Sequence, residues 1–222
     1  KLAGEIRDLS PRELVEDRKL HKLVRRTDLL GLYAAAKAID GAGLVAFRNT
    51  LDAARADRFN ERTAVYVGSG GAAYQDQYEF FPLLTAAAGD LRAFGRELTA
   101  TVNPMWLLRS LPNNVLCHIG IRYGFKGPNG CITNHSIGGM LSVAEAGAAL
   151  RAGEADRAIA VGHDSPVEPE QILYYHALGL LAKDTIRPFD AARSGSLLGE
   201  GAAALVRETE SAARARGEKF LG

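Results

Sequence analysis

Only two cysteines, Cys117 and Cys131, occur in the 222 residues. They form neither a metal-spaced pair nor a disulfide framework. No metal site is therefore expected, and a reducing cytoplasm is the expected compartment. No apolar run approaches the roughly 20 residues of a membrane span, and no signal-peptide pattern is visible, so no membrane partner is expected. An excess of one charge is also missing: 27 Lys and Arg against 26 Asp and Glu leave a formal net charge of +1. No basic block stands out, which argues against nucleic acid as a partner. The short cluster RKLHKLVRR (18–26) reads as a solvated helix face. There is no internal repeat, linker or low-complexity segment.

Glycine is plentiful, at 24 of 222 residues against a typical share of roughly 7%. Many tight turns and close backbone approaches follow. The length suits one large domain or two small ones. Residues 28–43 place Leu29, Leu32, Ala36 and Ile39 at helical spacing, with Asp28 near the start and Gly41 and Gly43 closing the helix. TAVYVGSGG (63–71) reads as a buried strand running into a glycine turn, and residues 74–98 as a helical excursion. A helix beginning near Pro112 and Asn113 carries Val115, Leu116, Ile119 and Tyr123 on one face and stops at Gly124. Strand CIT (131–133), helix 136–154, strand 156–164, helix 170–183, a turn-rich loop, strand 202–208 and a terminal helix at 211–219 complete the order. Strands alternate with helices, so the fold class is α/β.

The stretch GPNGCITNHSIGGMLSVAEAGAAL (127–150) holds the most chemistry. A strand-to-helix turn exposes its central side chain and aims the free N–H groups of the helix start at the reacting atom. Ser136 is the candidate nucleophile there. A serine hydroxyl gains little from a helix dipole and needs a general base. His135 is adjacent, but neighbouring residues at such a turn point apart. NHSIG is similar to the G-x-S-x-G elbow of α/β-hydrolases, with Asn134 in place of the first glycine. On local chemistry alone Ser136 is equally a helix N-cap or a small packing residue. The helix after it carries Glu145 as the only charge between 136 and 150, so burial on most sides is expected. Its small residues Gly138, Gly139, Ala144, Gly147 and Ala148 allow other backbones to come close.

The wider pattern carries a resemblance. PNNVLCHIGIRYGFKGPN, the turn, SVAEAGAALRAGEADRAIAVGHDS and IRPFDAARSGSLLGEGAAALVRE together resemble the β-ketoacyl synthases of fatty-acid and polyketide biosynthesis, from about residue 20 to the end. The resemblance implies a thiolase-like, layered αβαβα architecture, usually dimeric, of which residues 1–222 supply mainly the first half. It implies Claisen chemistry on acyl thioesters borne by acyl carrier protein, with no cofactor. In the family the turn residue is a cysteine, flanked as T-A-C-x-S-G, which takes the acyl chain. Two histidines and a lysine of the second half support decarboxylation of the malonyl extender.

Here the cysteine position is Ser136, preceded by Asn134 and His135. Cys131, on the preceding strand, and Cys117, on the helix before it, cannot substitute. The family's first strand is expected ahead of Lys1 and its second half beyond these residues. LLAKDTIRPFD is short for the family's loop at that place. His118, His163 and His176 read as packing or surface histidines. VNPMWLLRSLP (102–112) aligns with the segment that lines the acyl pocket and dimer contact. Val102, Met105 and Trp106, with Asn134 and His135, are the candidates for those roles.

Two functions follow. One is an acyl-transferring enzyme using Ser136, with transfer, hydrolysis or malonyl decarboxylation easier than efficient condensation. The other is a non-catalytic, chain-length-factor-like partner of an active ketosynthase, in a homodimer or heterodimer. A single engineered Cys-to-Ser change is disfavoured, because Asn134, His135 and Ile137 have diverged as well.

Overall fold

The computed structural model describes residues 3–71, 78 and 80–218. In chain order the strands are β1 (Ala3–Gly4), β2 (Thr63–Ser69), β3 (Asn129–Thr133), β4 (Arg157–Asp164), β5 (Leu198–Gly199) and β6 (Gly201–Glu208). The helices are α1 (Pro11–Leu14), α2 (Arg26–Gly41), α3 (Leu44–Arg48), α4 (Ala53–Glu61), α5 (Phe80–Ala87), α6 (Leu91–Thr101), α7 (Trp106–Ser110), α8 (Asn114–Tyr123), α9 (Gly138–Arg151), α10 (Pro169–Ala177) and α11 (Glu210–Arg216).

A four-stranded sheet in the order β3-β2-β4-β6 forms the centre. β2 runs parallel to β3 and β4, and β6 returns antiparallel to β4. Every residue of β2 is buried, as a parallel strand covered on both faces should be. The two faces differ in side-chain size. Val65, Val67, Ile159 and Val161 point to one side and pack with Leu29, Leu32 and Ile39 of α2 and Val115 and Ile119 of α8. Ala64, Tyr66, Ala158 and Ala160 point to the other and meet Ala146 and Ala149 of α9. Alternate positions of the same strands thus build a bulky layer and a thin one.

The thin layer lets α9 lie almost on the sheet backbone. A Cβ at Gly68 would overlap the backbone carbonyl of Gly138. One at Gly162 would stand 2.9 Å from the Cα of Gly139. Of the small residues expected to permit close approach, Gly138 and Gly139 are the ones against the sheet.

Several expectations hold with adjusted bounds. α2 starts from a capping arrangement in which Asp28 Oδ2 accepts the Arg25 N–H at 2.9 Å. Its fully buried alanine is Ala35, while Ala36 is half-buried. α8 stops at Gly124, which has φ +73°, a conformation glycine adopts freely.

Other expectations need correction. Residues 18–26 do not form a solvated helix face. A 3-10 turn spans Leu20–Lys22, Leu20 and Leu23 pack against the core, and Val24 is buried. Apolar anchoring overrides the charge run there. Helix 136–154 is a 3-10 turn, His135–Ile137, followed by α9. Nor is α9 buried on most sides: Met140, Ala144, Glu145 and Ala148 are exposed, because no described element covers that side. The helical excursion consists of α5 and α6, with α7 following; residues 74–77 and 79 lie outside the described residues. None of these three helices contains a buried residue.

Candidate active site at the β3–α9 turn

The parallel strands β2, β3 and β4 end side by side at Ser69, Thr133 and the His163–Asp164 pair. Crevices beyond the carboxyl ends of parallel strands are where open α/β sheets bind ligands. The turn from β3 into α9 closes this end. Asn134 N–H donates to the Ser69 carbonyl at 3.1 Å, and the Asn134 carbonyl accepts from Ile137 N–H at 3.0 Å and Gly138 N–H at 2.9 Å. Between these ties His135 adopts φ +23°. A non-glycine residue held there costs about 1–3 kcal/mol.

Ser136 is the middle residue of the 3-10 turn and is exposed. It does not cap α9, whose N-cap position is Ile137 and has no side-chain cap bond. It is not a buried packing residue either. The positive end of the α9 dipole begins two residues further on, at Gly138, and favours negative charge there.

Two depressions meet at the turn. The larger, of about 670 Å³, is lined by His135, Ser136, Asp164, Tyr175, Leu180 and Arg193, among others. The smaller, of about 300 Å³, shares His135, Ser136 and Asp164 and adds Ser69, His163 and backbone of Gly68 and Gly201. Asp164 was not singled out from the sequence. Its signal was its place as the last residue of strand 156–164, at the carboxyl end of the sheet. Burial pushes its carboxyl above the usual carboxylate range. The Ser165 N–H, at 2.8 Å, and the charges of His135 and Arg25 oppose that rise.

The remaining candidates lie elsewhere. Asn134 is exposed and lines neither depression. Val102, Met105 and Trp106 sit on the α6–α7 excursion and also line neither. Trp106 packs edge-on against Phe80, with ring centroids 5.0 Å apart. Cys131 donates its thiol to the Pro112 carbonyl at 3.3 Å, and burial pushes its pKa up; Cys117 is a free, exposed thiol. His163 is buried, with Nδ1 3.0 Å from Thr27 Oγ1, and burial pushes its pKa down. His118 is half-buried, with its pKa also lowered by burial, and His176 is exposed. Among the described residues no group of three His, Cys, Asp or Glu could hold a metal ion, and no helix is long and apolar enough to cross a membrane.

Residues 14–213 match the family model for the N-terminal domain of β-ketoacyl synthases. The chain belongs to the β-ketoacyl synthase family. It is 33% identical over 196 residues to nodulation protein E of Rhizobium leguminosarum bv. trifolii, covering 88% of this chain and 44% of that protein. It is 28% identical over 221 residues to 3-oxoacyl-[acyl-carrier-protein] synthase 2 of Staphylococcus aureus, covering 97% of this chain and 50% of that protein. Among solved structures it is similar to the ishigamide ketosynthase/chain length factor, with a TM-score of 0.73 and 27% identity over 98% of this chain and 49% of that one. The chain thus spans about half the length of these family members. The thiolase-like α/β fold expected from the resemblance is the fold observed, over its N-terminal half.

Proposed function

We propose that these residues are the N-terminal half of a ketosynthase-type acyltransferase of fatty-acid or polyketide biosynthesis. It acts on thioesters of acyl carrier protein and takes the acyl group on Ser136. The observation that carries this reading is the exposed Ser136 on a strained turn at the edge of a cavity of about 670 Å³. The carrier-protein thioester is the substrate class in the name of the S. aureus relative. Ser136 Oγ attacks the thioester carbonyl, an ester forms, the C–S bond breaks and the carrier thiol leaves with the hydroxyl proton. An oxygen ester is a poorer acceptor for a carbanion than a thioester. Acyl transfer, hydrolysis or malonyl decarboxylation is therefore favoured over efficient condensation. The free thiols Cys117 and Cys131 fit a reducing cytoplasm.

The second reading is a non-catalytic, chain-length-factor-like subunit paired with an active ketosynthase. It draws on the likeness to the ketosynthase/chain length factor structure and on a serine where the family's resemblance places cysteine. Val102, Met105 and Trp106 would then serve a subunit contact or shape a partner's pocket.

Intact-protein mass spectrometry after incubation with acyl- and malonyl-carrier protein separates the two. An acyl adduct that disappears in Ser136→Ala supports the enzyme. A folded protein that never gains an adduct removes Ser136 as a nucleophile and leaves the partner reading.

A further inference from the structure

The walls of the larger cavity are held in two different ways. On one side the backbone does it: Ser196 N–H donates to the Leu180 carbonyl and Ala182 N–H to the Ser196 carbonyl, both at 2.8 Å. On the other, Leu198 and Gly199 of β5 pair with Ala3 and Gly4 of β1 in a sheet of two strands. So small a pairing is marginal by itself. Asp164 and Pro166 line the same cavity where the chain leaves β4.

We propose that Glu200 is the positioning residue of this cavity. Its carboxylate clamps two wall segments, 164–166 and 198–199, to each other and to segment 3–6. The clamp goes beyond the reading above; only its effect on acyl loading rests on that reading for the role of Ser136.

Glu200 directly follows β5, and its side chain is 2% exposed. Four donors converge on its carboxylate. Oε1 accepts the Ile6 N–H at 2.8 Å and Arg26 Nη2 at 2.7 Å. Oε2 accepts Arg26 Nε at 3.0 Å and the Ser165 hydroxyl at 2.8 Å. The two Arg26 bonds form a fork on the carboxylate, which is stronger and more directional than neutral bonds. Arg26 also donates to the Ile6 carbonyl, and Glu200 N–H donates to the Gly4 carbonyl at 3.1 Å. Segment 3–6 is thus tied at Gly4 and at both backbone polar groups of Ile6. Ser165 stands between Asp164 and Pro166, so its hydroxyl fastens that wall. A buried carboxylate is costly with fewer donors. Loss of its charge should therefore loosen all three segments together.

The nucleophile itself is fixed by other bonds. The turn that carries Ser136 is tied to Ser69 through Asn134 N–H. Movement of the Glu200 wall therefore changes how an acyl substrate is held, and leaves the attacking hydroxyl where it is.

Hydrogen–deuterium exchange of the full-length protein, read by mass spectrometry, compares Glu200→Gln with the unaltered sequence. Gln keeps the shape and one acceptor, loses the charge and turns an N–H group toward a donor. Exchange in 3–6, 164–166 and 198–200 should quicken at least about tenfold, while β2 keeps its protection. Unchanged exchange in those segments overturns the clamp. Equal loss in β2 does so too, because Glu200 would then be a residue of the general packing. Ser165→Ala covers the case in which Glu200→Gln does not fold. It removes one of the four bonds and should quicken 164–166 about threefold or more with 3–6 as before; no change, or a change spread over β2, overturns the proposal equally. Acyl loading of Ser136 is the second readout. The carrier-protein concentration at half-saturation should rise about fivefold or more in Glu200→Gln, with the saturated rate nearly kept. A lower saturated rate at unchanged half-saturation, or loading that does not change at all, overturns the positioning role. Absence of loading in the unaltered protein defeats the acyl-enzyme reading alone, and exchange at the wall segments then decides the clamp.

Discussion

The sheet with α2, α8 and α9 and the excursion α5–α7 are built from similar apolar material and use it in opposite ways. The first region buries the side chains that face its layers: Ile39, Ile159, Val67, Val115 and Val161 have less than 2% of their surface exposed. The second buries none, and Leu91 remains 76% exposed, Leu107 58%. Composition alone does not separate them. Location relative to the parallel strands does, because only those strands offer two faces to pack against. Stability should therefore reside in the sheet layers rather than in the excursion.

The sharpest way to break this contrast is at the α9–sheet contact. Gly68→Ala places a methyl against the Gly138 carbonyl, a backbone atom that can yield only if α9 moves. A loss of about 4 kcal/mol or more is expected in denaturant unfolding. Retained stability would mean that α9 floats above the sheet. Ile159→Ala, at a site with 0% exposure, should cost about 3 kcal/mol by cavity formation. A smaller effect follows from His163. Its pKa is lowered by burial, so the unfolded chain takes up a proton before the folded one. The fold should lose stability as pH falls below the ordinary histidine value of about 6.5 and on toward the depressed folded value. His163→Gln should flatten that part of the stability curve. Leu91→Ala, the counterpart in the excursion, should change stability by less than about 0.5 kcal/mol. A loss as large as that of Ile159→Ala would show that the excursion shares the core.

Much of the fold was legible because its signals are local. The apolar runs at 63–71 and 156–164, the periodicity of Val115, Ile119 and Tyr123, and the stop at Gly124 each depend on residues within one or two turns. The site was legible only in part. Ser136 and His135 stand out because glycines and a strand-like run frame them. Asp164 does not, since its meeting with them depends on which strands are neighbours. The missed 3-10 turns, at Leu20–Lys22 and His135–Ile137, lie where tertiary anchoring overrides helical spacing.

The sequence by itself determined an α/β chain with strands, helices and turn residues in a particular order, and with a serine at a strand-to-helix turn. Chain chemistry over short distances suffices for that. Only the tertiary structure decided that Val65 and Ile159 face α2 while Ala64 and Ala158 face α9, because strand register assigns the faces. It alone left Met140 uncovered and Ser136 exposed rather than capping. It also brought the carboxylate of Asp164 to the same cavity as His135, because hydrogen bonding of β4 and β3 to the two edges of β2 aligns residues far apart in the chain.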